Sequence, residues 1–302
     1  MSNTTDPLTE IALTSIAVLL RIFSNPFANV FQKQLTTKGN HPLLVNFLTY
    51  LFLSIVCVFF AVGIRWQDLP AQFWLYSVLG GLAGGVGNGF LVKALKAGEL
   101  SVLGPVNSYK SVVGIIIGFF LLGEIPNVWG LLGIATIIYG SYVVLDTTED
   151  KFSWALLRRK EIQYRIWAMI LTGIEAVFVK KVILASSTLA SFISWCWFGT
   201  LFSLLFLFIE RKNLTRSAKQ VSRKEVTKFL YLVICIGTMQ YTTTYALDHI
   251  PVGYALSLFQ LSAIVSVWLG YRFFKEQEIR KKLIGSAIMI IGSIIIILLK
   301  NR

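Results

Sequence analysis

Charged residues are scarce in this sequence. They make up 14% of its 302 residues, with 28 Lys and Arg against 15 Asp and Glu. A soluble domain carries about a quarter charged residues, so the scarcity excludes an ordinary soluble enzyme. Histidine occurs twice and cysteine three times, each cysteine alone inside an apolar run, which argues against a metal site and a disulfide framework. We expect no cofactor. The sequence also lacks a serine nucleophile elbow and paired carboxylates, so it predicts no catalytic residue and no enzyme.

Long apolar runs are present instead. Hydrophobic residues make up 55% of the chain, and the mean hydropathy is +0.69. About 20 apolar residues cross the hydrocarbon core of a bilayer as a helix. Ten runs have about that length: 11–31, 43–64, 73–95, 100–122, 128–145, 164–184, 191–209, 229–247, 252–274 and 283–299. Because they are continuously apolar rather than alternating, helices are favoured over the strands of a barrel. The predicted fold class is all-α integral membrane, with ten transmembrane helices.

The net charge of +13 is spread over the connectors between these runs. Basic connectors are expected where a membrane protein meets anionic lipid, so we expect membrane lipid, and no nucleic acid, as a partner. The first ten residues are polar, contain no Lys or Arg and lead into a run of full membrane length. A cleaved signal peptide has a different pattern, so we expect the first helix to remain part of the mature protein.

A sequence repeat divides the chain into two halves. An offset of 152 residues aligns 94–145 with 246–297 without a gap and gives 11 identities in 52 positions, among them Glu124 with Glu276. An offset of 147 residues aligns Lys33 with Lys180. The prediction is a first five-helix repeat over 1–150 and a second over 151–302. An odd number of helices inverts the second copy in the membrane, and inverted repeats place a solute site between the copies. The architecture therefore favours a secondary transporter.

Three short features carry a family resemblance. They are Gly123-Glu124 before the fifth helix, Lys275-Glu276 before the tenth, and Ser24-Asn25 with Lys33 on the first. Together with the two five-helix copies, they resemble the drug/metabolite transporter superfamily, specifically its EamA type, over essentially the whole chain. The first helix departs from the family in having Phe23 where Trp is frequent, and in carrying Pro26. The resemblance implies transport of small organic solutes, amino acids among them, often outward and across the plasma membrane, which is the inner membrane in bacteria.

Ionisable residues lie at the centre of only three runs: Arg21, Lys110 and Glu175. Each is about ten residues, or ~15 Å, from either helix end, beyond the ~6–7 Å reach of a long side chain. A central charge costs at least ~2.5–3.5 kcal/mol, so each is expected to face a wet cavity or a partner. Lys110 is the predicted anchor for a carboxylate or phosphate, and Arg21 holds a second anionic group. Glu175 is the predicted ammonium partner or proton carrier. The alternative is a structural ion pair of Glu175 with Lys110 or Arg21. With one cation in excess, the set suits an anionic or zwitterionic solute.

Amides and aromatic residues extend the candidate substrate-binding set. Asn88 and Gln240 occupy equivalent places in the two copies, and Asn107 and Gln260 are one position from equivalence. These amides either line the cavity or join helices by hydrogen bonds. The aromatic candidates, which either stack on a solute or only pack, are Tyr109, Tyr241, Phe259 and Trp268.

Two further features indicate structure rather than binding. Gly81, Gly85 and Gly89 recur every four residues inside the third run. A phosphate-binding loop needs a preceding strand, so this spacing indicates close helix packing. Glu124 and Glu276 stand just before the fifth and tenth helices, where a carboxylate stabilises a helix N-terminus.

The sequence leaves alternatives open for the orientation of the chain in the membrane and for its function class. The face that holds the odd-to-even connectors carries 21 Lys and Arg, and the face that holds both termini carries five. The positive-inside rule then places the termini outside, whereas the resemblance implies cytoplasmic termini. The rivals to a transporter are a non-transporting scaffold or sensor and a membrane-embedded enzyme acting on lipid head groups. For the enzyme, the polar candidates near an interface are His249 beside Asp248, and His41 alone. A monomer and a homodimer both fit the transporter.

Overall fold

The computed structural model describes residues 7–106, 110, 113, 120, 127–145, 158–210 and 223–298. Over these ranges the chain consists of α-helices, one short 3-10 turn (Trp66–Asp68) and connectors, without a β-strand. The α-helices are α1 (Pro7–Thr37), α2 (Pro42–Ala61), α3 (Ala71–Ala97), α4 (Leu100–Val106), α5 (Val128–Leu145), α6 (Lys160–Leu184), α7 (Thr188–Ile209), α8 (Arg223–His249), α9 (Val252–Phe259), α10 (Ser262–Phe274) and α11 (Ile279–Leu298).

The predicted fold class is confirmed: the protein is an all-α membrane protein with ten helical spans. The first three predicted spans are α1 to α3, and the fourth begins as α4, with Lys110, Val113 and Phe120 also helical. The fifth is α5, the sixth to eighth are α6 to α8, and the tenth is α11. The division into repeats at 150/151 lies outside the described residues and stays a prediction.

The ninth predicted span differs from the expectation because it is two helices, α9 and α10. The backbone forms a tighter turn where the two helices meet, because the Ala263 N–H donates to the Gln260 carbonyl three residues back, at 2.8 Å. The Gln260 side chain donates to the Leu256 carbonyl at 2.9 Å. An interrupted helix is tolerated at membrane depth where its backbone is buried in protein, and Gln260 is buried.

Five helical segments in the described ranges are long and apolar enough to cross a membrane by length and composition. They are Leu8–Thr37, Pro42–Ala61, Ala71–Ala97, Thr188–Ile209 and Val252–Phe274. The helix α6 carries charged residues along its length and is not among them. Large apolar side chains such as Phe59 and Ile209 are exposed on the outside. Such an exterior suits contact with lipid.

The crossing of α5 and α11 shows that the two halves run in opposite directions. A Cβ added at Gly140 would lie 2.5 Å from the carbonyl oxygen of Gly285, and one added at Gly292 would lie 2.5 Å from that of Gly133. Moving forward along α5 from Gly133 to Gly140 therefore means moving backward along α11. Because α5 and α11 are equivalent helices of the repeat, an antiparallel crossing with matched glycines is the geometry of an inverted pair.

Two further helix pairs follow the same symmetry. The helix α1 packs along α8, and α3 packs along α6. Since α1 is equivalent to α6 and α3 to α8, these two pairings are the same contact made twice. Each half therefore places its first and third helices against the other half, and the space between the two pairs lies on the pseudo-two-fold axis.

The glycines of α3 allow a close approach of two neighbours. A Cβ at Gly81 would collide with Phe198 of α7, and one at Gly85 would lie 3.1 Å from the Gly199 carbonyl oxygen. These contacts confirm that the four-residue glycine spacing serves close helix packing. Gly84 is on the adjacent face, where a Cβ would collide with the Glu175 carboxylate of α6.

Candidate solute-binding site

A polar cavity of about 50 Å³ lies between the two halves. Its walls come from α1, α3, α6, α8 and α9, together with Lys110 of the fourth span. A water molecule needs roughly 10–15 Å³ of such volume, so the cavity has room for a few waters. An organic solute would require it to enlarge.

The cavity lies on the pseudo-two-fold axis, because equivalent positions from both halves line it. At the offset that aligns Lys33 with Lys180, three lining positions of α1 match three of α6: Arg21 with Ala168, Asn25 with Thr172, and Asn29 with Ala176. At the offset that aligns Glu124 with Glu276, two positions of α3 match two of α8: Asn88 with Gln240, and Leu91 with Thr243. The wall positions are thus shared by the repeats, while their charges are not.

Arg21 of α1 is buried, with 6% of its surface exposed. Its Nε donates to Thr243 Oγ1 of α8 at 2.8 Å, and its guanidinium lies 4.8 Å from the centre of the Phe259 ring. Its Nη1 is buried with no hydrogen-bond acceptor among the described residues. A buried donor without an acceptor is costly, and Arg21 is one of the residues that line the cavity.

Glu175 of α6 is the carboxylate in the described wall of the cavity. Its Oε1 accepts a hydrogen bond from Trp195 Nε1 of α7, and the carboxylate packs where Gly84 has no side chain. Within the described ranges, it forms no ion pair with Lys110 or Arg21. The structural ion pair that the sequence left as an alternative is therefore not formed in this structure.

Two more cations line the same cavity. Lys110 packs near α6, where a Cβ on Gly173 would lie 3.7 Å from its Cγ. Arg165 of α6 is buried, and its Nε donates to the Leu103 carbonyl of α4 at 2.8 Å. Both cations face the cavity from different helices.

The structure brings six of the eleven candidate residues to the cavity: Lys110, Glu175, Arg21, Asn88, Gln240 and Phe259. Gln260 is buried but bonds within α9, and Tyr241 and Trp268 are 43% and 54% exposed, away from the cavity. Asn107 and Tyr109 lie outside the described residues. The binding role of all eleven stays a prediction.

Sequence reasoning missed Arg165, Asn25 and Asn29. The signal for the two asparagines was the spacing: Arg21, Asn25 and Asn29 are four residues apart, which places them on one face of a helix. Arg165 is the second residue of the predicted sixth span, 164–184, so its position in the sequence gave no signal of burial. The helix α6 in fact begins at Lys160 and carries Arg165 inward.

One end of the bundle is held by a group that we call the end clasp, formed by Lys33, Glu276 and the N–H groups of Leu100 and Ser101. Glu276 accepts hydrogen bonds from both N–H groups at 2.8 Å, and Lys33 Nζ lies 3.0 Å from Glu276 Oε1. Lys33 also donates to the Gly98 carbonyl at 2.9 Å. The expectation for Glu276 named the wrong helix: its carboxylate caps α4 of the first half, not α11, which follows it. Glu124 lies outside the described residues.

The electrostatics of the clasp keep Glu276 ionised. Burial raises the pKa of the Glu276 carboxyl, but Lys33 and the hydrogen bonds from Ser101 outweigh burial, and the net pKa is lowered. The clasp joins α1, the end of α3 with the start of α4, and the α10–α11 connector.

The sequence matches the EamA-like transporter family over residues 13–146 and 159–298. The protein belongs to this family. It is 29% identical over 118 residues to "Uncharacterized transporter in cobO 3'region" from Sinorhizobium sp, a match that covers 38% of this chain and 84% of that protein. A solved structure, titled "Crystal structure of protein", shares the fold with a TM-score of 0.73 at 18% identity, over 95% of this chain and 98% of the other.

This EamA-like transporter has a second, wider cavity of about 490 Å³, which we call the vestibule; it is lined by Gly39, His41, Pro42, Lys93, Lys96, Ala97, Lys160, Glu161, Tyr164 and Glu210. Lys93 pairs with Glu210 and lies 5.0 Å from the centre of the Tyr164 ring. Burial lowers the pKa of His41, and Lys96 and Lys93 lower it further against the opposing effect of Glu210. His41 is therefore neutral at pH 7.

The polar groups considered for a lipid enzyme have structural partners. Asp248 accepts a hydrogen bond from Thr188 at 2.6 Å, and His249 Nδ1 lies 2.8 Å from the Tyr245 carbonyl oxygen. Among the described residues, no group of three or more His, Cys, Asp or Glu is placed to hold a metal ion.

Proposed function

We propose that the protein is a secondary active transporter that carries small organic metabolites, with amino acids as the first candidates, by alternating access. The observation that carries the proposal is the charged cavity on the pseudo-two-fold axis. A site at the interface of inverted repeats can be opened to either side by rocking one half against the other.

The charges have distinct roles in this proposal. Lys110 anchors the negative group of the solute, and Glu175 carries a proton or meets an ammonium group. Arg21 binds a second anionic group through its unpartnered Nη1. These roles are supported by the position of all three side chains in one cavity, where a lone charge is costly without a ligand.

Opening involves the two ends of the bundle. The end clasp holds one end together through Lys33 and Glu276, so the solute leaves on that side only when the clasp breaks. We further propose export across the plasma membrane, the inner membrane in bacteria, by a monomer or homodimer in contact with membrane lipid. Transport without chemical change of the solute makes the protein no enzyme.

Solute exchange in proteoliposomes tests the proposal. The purified protein is reconstituted, loaded with a mixture of unlabelled amino acids and assayed for uptake of each labelled one. We expect exchange by the wild type and by Arg272→Gln, whose arginine is exposed at the end of α10. Lys110→Ala and Glu175→Gln are expected to lose most of it. If both variants retain the wild-type rate at equal protein levels, the site is wrong. If neither an amino acid nor any other small metabolite tested in the same assay exchanges, the transport function is wrong.

A further inference from the structure

The charges of the central cavity do not balance. Its described wall holds three cations, Arg21, Lys110 and Arg165, and one carboxylate, Glu175. The sequence had indicated an excess of one positive charge, and the buried Arg165 makes it two. An excess of this size inside a membrane protein is costly unless an anion or water compensates it.

The carboxylate does not neutralise either of its expected partners. Glu175 accepts from Trp195 and forms no ion pair with the cavity cations in the described part of the chain. The two arginines are held by uncharged acceptors instead: Arg21 by the Thr243 hydroxyl and Arg165 by the Leu103 carbonyl. Both guanidinium groups are therefore positioned by neutral acceptors and form no ion pair among the described residues.

The arginines are fixed by different helices. Arg21 extends from α1 to α8, and Arg165 extends from α6 to α4. Each uses Nε for its protein contact, and Arg21 keeps Nη1 buried and unpartnered. Arginine binds carboxylates strongly through its remaining N–H groups. Two separately held guanidinium groups favour two separate anionic groups over a single one.

From this juxtaposition we propose that the solute is a small dicarboxylate, bound with one carboxylate at Arg21 and the other at Arg165, while Lys110, the anchor proposed above, contacts the solute from the fourth span on the same wall. The proposal rests on the transport function above and narrows its substrate class. A dicarboxylate cancels the two excess charges. A zwitterionic amino acid leaves both, and a monocarboxylate leaves one. The amides of Asn25 and Asn29, which line the same wall, supply neutral donors to the bound carboxylates.

A matched series of solutes tests the class. The protein in detergent is titrated with succinate, propionate, alanine and glycerol 3-phosphate, and its melting temperature is measured; the same four solutes are assayed by exchange in proteoliposomes. We expect succinate to bind at least about tenfold more tightly than propionate or alanine, because each added charge-assisted contact favours the dianion. Glycerol 3-phosphate carries both negative charges on a single phosphate group. It is therefore expected to bind more weakly than succinate, whose charges lie on two separate groups.

Variants assign the effect to the two arginines. Arg21→Gln and Arg165→Gln are each expected to weaken succinate binding by about tenfold or more, while Arg272→Gln leaves it unchanged. Glu175→Gln removes the carboxylate, so succinate binding is retained or strengthened while proton-coupled transport is lost. Arg21→Lys keeps the charge and retains part of the binding, which separates loss of charge from loss of fold.

The outcomes separate the two proposals. Exchange of alanine without stabilisation by succinate overturns the dicarboxylate class and leaves the transport function. Stabilisation by succinate without exchange of any solute overturns transport and leaves the dianion site. Tighter binding of glycerol 3-phosphate than of succinate overturns the assignment of two separated anionic groups.

Discussion

Replacing Glu276 by Gln should destabilise the protein, because Glu276 links three parts of the chain. Its carboxylate accepts two N–H groups at 2.8 Å and pairs with Lys33 at 3.0 Å, with side-chain exposures of 12% for Lys33 and 5% for Glu276. The amide keeps the shape, but it loses the charge and turns two N–H groups toward existing donors. Breaking a buried ion pair by changing one partner costs about 3 kcal/mol. At about 2 °C per kcal/mol for a long chain, the expected fall in melting temperature is about 6 °C.

The matched control is Glu278→Gln, two residues along the same connector and exposed, which we expect to change nothing. Thermal unfolding in detergent, followed by tryptophan fluorescence, measures both variants. Lys33→Met provides a double-mutant cycle: since Lys33 and Glu276 are direct partners, the two changes together should cost less than their sum by at least about 1 kcal/mol.

The pH dependence gives an independent test. The pKa of Glu276 is lowered in the folded protein, so its stabilisation is full above the unfolded pKa of about 4.3 and disappears as the pH falls through the lower folded value. The difference in melting temperature between wild type and Glu276→Gln should therefore disappear in acid. Equal melting temperatures for Glu276→Gln and Glu278→Gln at neutral pH, or a gap that survives in strong acid, would refute the reasoning.

Three further predictions follow from the packing and the connectors. Gly84→Ala should cost about 1–3 kcal/mol by overpacking and lower solute binding, since a Cβ there collides with the cavity carboxylate, while Gly63→Ala, with open space around it, should be neutral; equal unfolding curves for the two would contradict this. Lys38 and Ala185 are equivalent connector positions of the two halves, so cysteines introduced there should react with an impermeant maleimide from opposite sides of the membrane. Labelling of both from one side would rule out inversion. The unsubstituted chain controls for the native cysteines. The pKa of His41 is lowered in the folded protein, so protonation favours unfolding and stability should fall as the pH drops below about 6.5; His41→Gln should lose less melting temperature than wild type between about pH 8 and pH 5, and an identical loss would contradict the assignment.

The helix count and the duplication could be predicted from local information. Hydropathy over about 20 residues identifies a span without knowledge of its neighbours. The glycine spacing on α3 identified a packing face for the same reason, since Gly81 and Gly85 repeat every helical turn. The break between α9 and α10 could not be predicted, because a tight turn at Gln260 leaves the apolar run uninterrupted.

The candidate site was only partly predictable. Lys110, Arg21 and Glu175 stood out because each lies far from either end of an apolar run. Arg165 did not, because its depth depends on where α6 begins. The outward positions of Tyr241 and Trp268 depend on how α8 and α10 are rotated in the bundle, and a residue's spacing along one helix does not specify that rotation.

The sequence by itself determined that the chain lies in a membrane as ten helices, that it is duplicated, and that its second half is inverted. Each of these is a property of single runs, of their number, or of the alignment of one half of the chain with the other. Only the tertiary structure decided which polar groups meet: three cations around one cavity, Glu175 bonded to Trp195 rather than to a cation, and Glu276 capping a helix of the opposite half. Such contacts join residues far apart in the chain, and they form only when the helices have packed against particular neighbours with particular faces.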